Sequence, residues 1–82
     1  NLTKSLARLY SKTGIFTYSI NPSIIKTDMS KNVDYKKYIS SIPSNRIGIP
    51  EDISKLVSFL CSGNADYLTG QTFHPNGAER LY

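Results

Sequence analysis

Two runs rich in β-branched and aromatic residues, Ile15-Phe16-Thr17-Tyr18-Ser19-Ile20 and Gly70-Gln71-Thr72-Phe73-His74, stand about fifty residues apart with helical patterns between them. Antiparallel neighbours can be joined by a tight turn, whereas parallel neighbours need a long crossover, usually a helix. The spacing therefore predicts a parallel pair joined by a right-handed helical crossover. The first run carries apolar residues on both parities, as a strand covered on both faces does. Pro22 ends it, because proline has no N–H to donate to a ladder. Ser23 to Met29 then read as a loop leaving the carboxyl end of that strand.

The helices follow from periodicity and punctuation. Leu2, Leu6 and Leu9 fall at helical spacing, which predicts a helix over 1–11 with one apolar stripe, and Gly14 follows as its C-terminal signal. The pattern starts abruptly at residue 1, as though the chain were cut within this helix. Residues 31–41 are polar but carry Val33, Tyr35, Tyr38 and Ile39, an amphipathic pattern that Pro43 closes, with Ile42 just before it. A turn over Ser44 to Gly48 precedes the clearest helix. Pro50 suits a first turn, and Glu51 and Asp52 place negative charge at the positive end of the dipole. Ile53, Leu56, Val57 and Leu60 give one face to bury, and Ser62-Gly63-Asn64 end the helix. The order is α-β-α-α-β. Two parallel strands alone leave much apolar surface in water, which points to a partner sheet.

Composition narrows the functional classes. A chain of 82 residues buries only about 60 % of its unfolded surface. With 39 % hydrophobic and 20 % charged residues it reads as ordinary globular protein. No apolar run approaches the length of a membrane-spanning helix, and the first residues carry neither Met nor an apolar signal core, so no targeting segment is expected. Cys61 is the sole cysteine, which excludes an internal disulfide and fits a reducing, cytoplasmic setting. With no base nearby, it reads as a small buried hydrophobe rather than a nucleophile. His74 is the sole histidine and has no His, Cys or carboxylate at ligand spacing, so no metal site is expected; its place beside Pro75 fits a subunit contact. The net charge is +4, but only Lys36 and Lys37 are adjacent among the basic residues, a pattern of solvated faces rather than a nucleic-acid patch.

Four segments together resemble the C-terminal third of the short-chain dehydrogenase/reductase superfamily. Asn21 to Met29 is similar to the family's Pro-Gly-x-Ile-x-Thr-x-Met, and Arg46 to Ile53 to its Arg-x-Gly-x-Pro-Glu-Asp-Ile. Phe59 to Ser62, Tyr67 to Gln71 and Asn76-Gly77 resemble its Phe-Leu-x-Ser…Tyr-x-Thr-Gly-Gln…Asp-Gly-Gly ending. Asn1 to Arg8 looks like the helix after its Tyr-x-x-x-Lys motif. The style is closest to the 3-oxoacyl-carrier-protein reductases.

The resemblance implies an α/β chain forming the C-terminal part of a three-layer Rossmann-like fold, with 1–82 as one segment of that domain. It implies an oxidoreductase that uses NAD or NADP to interconvert a carbonyl and a secondary alcohol, on a small-molecule or acyl-carrier-linked substrate. Pro22, Ser23, Ile25 and Thr27 would bind the cofactor, the Ile25 backbone and the Thr27 hydroxyl holding the nicotinamide carboxamide. A plainer role for Thr27-Asp28 is to cap the helix that follows. Residues 28–45 correspond to a substrate lid, its polar residues including Lys31, Asn32, Asp34, Lys36 and Lys37. The helix from Pro50 and the final strand correspond to the surface of a homodimer or homotetramer. Arg46 is expected to anchor the turn before that helix.

No Tyr here has a Lys four residues later and the Gly-rich phosphate loop is absent, so no catalytic residue is assigned and the 82 residues alone are expected to be inactive. Three positions depart from the family's pattern: Ser23 and Ala78 replace glycines, and Tyr18 replaces an asparagine. The competing readings are a small basic module that binds nucleic acid or protein and a catalytically dead relative of the same fold.

Overall fold

The computed structural model describes residues 1–30 and 32–82, with Ser30 described by its backbone alone. The Asn1 side chain accepts from the Lys4 N–H at 2.9 Å and opens α1 (Leu2–Tyr10). A 3₁₀ turn, Ser11–Thr13, extends it, and Gly14 closes it in the left-handed region at φ 83°. The chain then runs into β1 (Ser19–Ile20), a 3₁₀ turn at Asp28–Ser30, α2 (Tyr35–Ile39), α3 (Pro50–Leu60), a third 3₁₀ turn at Asp66–Leu68, and β2 (Thr72–Phe73).

β1 and β2 pair in parallel, with Ser19 opposite Thr72 and Ile20 opposite Phe73. Regular strand geometry is confined to two residues on each side, shorter than the runs in the sequence, but the hydrogen bonding reaches further. Gly70 N–H donates to Thr17 O (2.7 Å), Ser19 N–H to Gln71 O, Asn21 N–H to Phe73 O (2.9 Å) and Ser23 N–H to Pro75 O. Side chains extend the seam. The Thr17 N–H donates to the Thr69 hydroxyl at 3.0 Å, and the Thr17 hydroxyl donates to Thr3 O at 2.9 Å, tying α1 to β1.

α1 does not bury the leucine stripe. Ala7 is its buried residue, close enough to β2's approach that a Cβ added at Gly70 would lie 3.2 Å from the Ala7 Cβ. Leu2 and Leu9 are 73 % and 68 % exposed. Periodicity had identified an apolar face but not what covers it. In α3, Leu60 is buried and Ile53 and Leu56 are half-buried, whereas Val57 faces out. Cys61 is exposed, contrary to the sequence reading, because the helix ends there and the next turns leave its side uncovered. The helical pattern over 31–41 contracts to the five residues of α2, capped weakly by Asp34 through the Lys37 N–H at 3.4 Å. Lys31, counted among the lid's polar residues, lies outside the described residues.

The core is thin. Ala7, Ile42, Ile47, Leu60 and Ala65 are the buried apolar residues among those described. The accessible surface is 6280 Å², against about 4,900 Å² for a compact protein of this mass. The radius of gyration is 15.1 Å, where a compact chain of this length has about 12 Å. The molecule is elongated, 46 × 22 × 20 Å, with apolar residues on its surface. No helix of the described residues is long and apolar enough to cross a membrane.

Candidate functional site

The chain leaves the carboxyl ends of both strands toward one region. From β1 it passes through Asn21 to Met29, and from β2 through His74 to Gly77. Ligands of open α/β sheets sit beyond these strand ends. A cavity of about 230 Å³ lies there, with Ser23, Ile24 and Ile25 on one wall, Pro75, Asn76 and Gly77 on another, and Ile42, Ser44, Arg46, Gly48 and Asp52 completing it.

Two glycines let backbones form these walls. A Cβ at Gly48 would come 2.5 Å from Ile25 Cδ1 and 3.3 Å from Ile24 O. That close approach accompanies a parallel bridge between Ile25 and Gly48 and a 2.8 Å hydrogen bond from the Lys26 N–H to Gly48 O. Gly77 has φ 61°, and a Cβ there would lie 2.8 Å from the Ile42 Cγ2. Its carbonyl accepts from both the Ser44 N–H (3.0 Å) and the Ser44 hydroxyl (2.9 Å), which ties the end of the 28–45 segment to the strand exit. On the other side of that segment, the Lys26 ammonium stands 6.0 Å from the Tyr35 ring centroid.

Arg46 anchors the turn before α3, as its position in the sequence suggested. Its Nη1 and Nη2 donate to Asp52 Oδ2 and Oδ1 at 2.8 and 2.9 Å, and Nη1 also reaches Ile47 O at 3.3 Å. The Ile49 N–H donates to Asp52 Oδ2 at 2.8 Å. Asp52 is therefore more than a negative charge near a helix dipole. It closes the first turn through Ile49 and holds Arg46 by a two-pronged pair. The hydrogen bond from Arg46, and then that from the Ile49 N–H, hold its carboxyl well below the usual carboxylate range.

Of the four residues implicated by resemblance, Ser23 and Ile25 line this cavity. Pro22 borders a neighbouring, more open hollow of about 420 Å³, shared with Asn21, Ser23, Asn76, Glu79, Arg80 and Tyr82, and Thr27 lines neither. Ser23, standing where the family has glycine, is not in the left-handed region, and its hydroxyl donates to the Glu79 carboxylate. Tyr18, standing where the family has asparagine, donates its phenol to Ala65 O at 2.6 Å and sets its ring 6.4 Å from that of Phe73. Desolvation first, then Asp66 and Cys61, push that phenol above its ordinary value. His74 stacks on Tyr82 at 3.8 Å between ring centroids. The described residues contain no group of three potential metal ligands.

Gly48, Gly77 and Asn76 are wall residues that sequence reasoning did not assign to a site, and Ile42 entered it only as part of the 28–45 segment. The available signal was the Arg-x-Gly-x-Pro-Glu-Asp spacing, which puts a guanidinium and a carboxylate six residues apart across the start of a helix.

A parallel β-strand pair joined through helices, with a cavity at its carboxyl end bounded by loops from both strands, defines part of a Rossmann-like fold. Comparison with known proteins agrees in detail. Residues 1–77 match the family model described as Enoyl-(Acyl carrier protein) reductase. The 3-oxoacyl-[acyl-carrier-protein] reductase FabG of Buchnera aphidicola subsp. Schizaphis graminum is 47 % identical over 77 residues, which cover 90 % of this chain and 32 % of that protein. FabG of Rickettsia prowazekii is 42 % identical over 79 residues, 93 % of this chain and 33 % of the relative. Among solved structures, a protein of Agrobacterium tumefaciens provisionally described as a gluconate dehydrogenase superposes with a TM-score of 0.85 at 25 % identity, over 99 % of this chain and 34 % of that one. The chain belongs to the short-chain dehydrogenase/reductase superfamily. It spans about one third of the length of the curated relatives it matches.

Proposed function

We propose that the chain is the C-terminal portion of an NAD(P)-dependent oxidoreductase that interconverts a carbonyl and a secondary alcohol. The observation that carries this reading is the cavity at the strand ends, walled by Ser23 to Ile25 and by the Cβ-free backbones of Gly48 and Gly77. At about 230 Å³ it falls below the roughly 300–1,000 Å³ of pockets that engulf a drug-sized ligand. That size suits one ring with its amide, the nicotinamide end of a dinucleotide. The residues present therefore fit the group.

Pro22 and Ser23 would set the path of the loop and the Ile25 backbone on the cavity wall would hold the carboxamide, limiting the ring's rotational freedom; the Thr27 hydroxyl, assigned by the family resemblance, lies outside that wall. Bound there, the dinucleotide would supply or accept a hydride. Residues 28–45 cover the substrate, tied down at one end by Ser44 on Gly77 and braced by Tyr35 against Lys26. The names of the FabG relatives point to an acyl-carrier-linked 3-oxo substrate. α3 and β2 form the surface of a homodimer or homotetramer, with Val57, Phe59 and Leu68 exposed on or beside it. Proton transfer belongs to the rest of the polypeptide, and the 82 residues alone are inactive. A cytoplasmic setting accords with the single cysteine. A nucleic-acid-binding module is disfavoured by scattered basic residues and by a family match over nearly the whole chain.

The test uses the protein encoded by the complete reading frame that contains these residues. Reduced-nicotinamide fluorescence should report saturable binding of NADH or NADPH, and a 3-oxoacyl thioester should consume the reduced cofactor. Binding of neither dinucleotide at about 1 mM would overturn the reading, while binding without turnover of any carbonyl would identify a catalytically dead relative.

A further inference from the structure

Gly48 packs tightly on the loop that follows β1, where a Cβ would press on the end of the Ile25 side chain at 2.5 Å and on Ile24 O at 3.3 Å, and its carbonyl accepts from the Lys26 N–H at 2.8 Å. The position of Ile24 to Lys26 therefore depends on where the Gly48 carbonyl points. Asp52 grips the chain on both sides of that glycine. Two residues before it, Arg46 donates both terminal nitrogens to the carboxylate; one residue after it, Ile49 donates its N–H. The Arg46 fork also reaches Ile47 O, which fixes the intervening peptide, and Ile47 itself is buried. The same carboxylate lies 3.7 Å from where a Gly48 Cβ would stand, and Arg46, Gly48 and Asp52 all line the cavity with Ile24 and Ile25.

We infer that Arg46 and Asp52 are positioning residues for the nicotinamide loop, acting through Gly48 on Ile24 to Lys26 rather than by touching the cofactor. The inference rests on the nicotinamide reading given under the proposed function. The pair is suited to this task because a two-pronged guanidinium–carboxylate contact fixes orientation as well as distance. A lysine in place of Arg46 keeps the charge and loses the fork. An asparagine in place of Asp52 keeps the shape and loses the charge that three donors share.

The full-length protein provides the test, with reduced dinucleotide as the probe. Asp52→Asn and Arg46→Lys should each weaken its binding about tenfold and speed amide exchange at Lys26 by about the same factor. The KM for the carbonyl substrate should stay within about twofold, since the pair acts on the cofactor side. Glu51→Gln removes a first-turn charge of the same helix without touching residues 46–49, and should leave affinity and exchange at Lys26 unchanged. In the wild type, saturating dinucleotide should protect the Lys26 and Ile49 amides, a measurement that does not depend on any variant folding. Faster exchange at Lys26 with unaltered affinity would make the pair merely structural and overturn the inference. Unaltered exchange at Lys26 in the variants, or no protection in the wild type, would overturn it as well. Those failures are distinguishable from failure of the functional reading, in which the wild type itself binds neither dinucleotide.

Discussion

Ala78 stands in the left-handed region at φ 69°, where the family's pattern has the second glycine of a pair. Its N–H donates to Asn76 Oδ1 at 3.0 Å, so the turn after β2 holds an alanine in a conformation that disfavours a Cβ. In the full-length protein Ala78→Gly should raise stability by about 1 kcal/mol, read as a higher denaturation midpoint. An unchanged or lower midpoint would show that the turn is relaxed. Tyr18 is a departure of another kind. Its phenol bonds to the carbonyl of Ala65, a buried residue that also accepts from the Leu68 N–H, so removing the hydroxyl leaves one partner. Tyr18→Phe should lower the melting midpoint by about 2–4 °C and leave cofactor affinity intact, because the phenol points toward the α3–β2 connection rather than into the cavity. Ser23 and Glu79 show what a sequence alone conceals. The Ser23 hydroxyl has a partner 56 residues away in the terminal turn, a distance over which no local pattern is readable.

Among the elements, α3 was the most legible, because Pro50 marks its start and the apolar spacing marks its core-facing side, apart from Val57, which faces out. α2 was the least, because a five-residue helix carries too few turns for periodicity to bound it. The strands read longer than they are, since a β-branched run reports suitability for a sheet and not the length of the partner it meets. The site was legible only in part. The loop from Pro22 to Thr27 could be placed by resemblance, whereas the Gly48 and Gly77 walls come together from separate stretches of the chain. The start of α3 also has a definite pH signature. Asp52 is held below the usual carboxylate range in the folded protein, so it binds fewer protons there than in the unfolded chain. Its contribution to stability is complete above the unfolded carboxylate range and declines progressively as pH falls below it. Wild type should therefore exceed Asp52→Asn in melting midpoint at neutral pH, and acid titration should bring the two curves together. A gap that stays constant into strong acid would deny the charged pair its stabilising role.

At the scale of the whole molecule, the surface exceeds that of a compact protein of equal mass by roughly 1,300 Å². That surplus is comparable to the area buried in a specific protein–protein interface. It is carried by residues such as Leu2, Leu9, Val57 and Phe59, which lie on two different helices. Periodicity marked most of these positions as apolar, but the surface that would bury them is not encoded in these residues. Produced in isolation, the 82-residue segment should show helical circular dichroism without a cooperative thermal transition; a sharp transition would mean that a core as thin as the five buried apolar residues among those described suffices.

The pairing of Ser19 with Thr72 has a consequence for synthesis on the ribosome. β1 emerges 53 residues before the strand that completes its ladder on that side. At about 5–20 residues per second, translation leaves that edge open for roughly 3–10 s, far longer than the microseconds in which a nearby hairpin closes. For that interval Phe16, Tyr18 and Ile20 belong to a nascent chain whose neighbour has not yet been made, and a chaperone able to hold a short apolar strand would meet its substrate there.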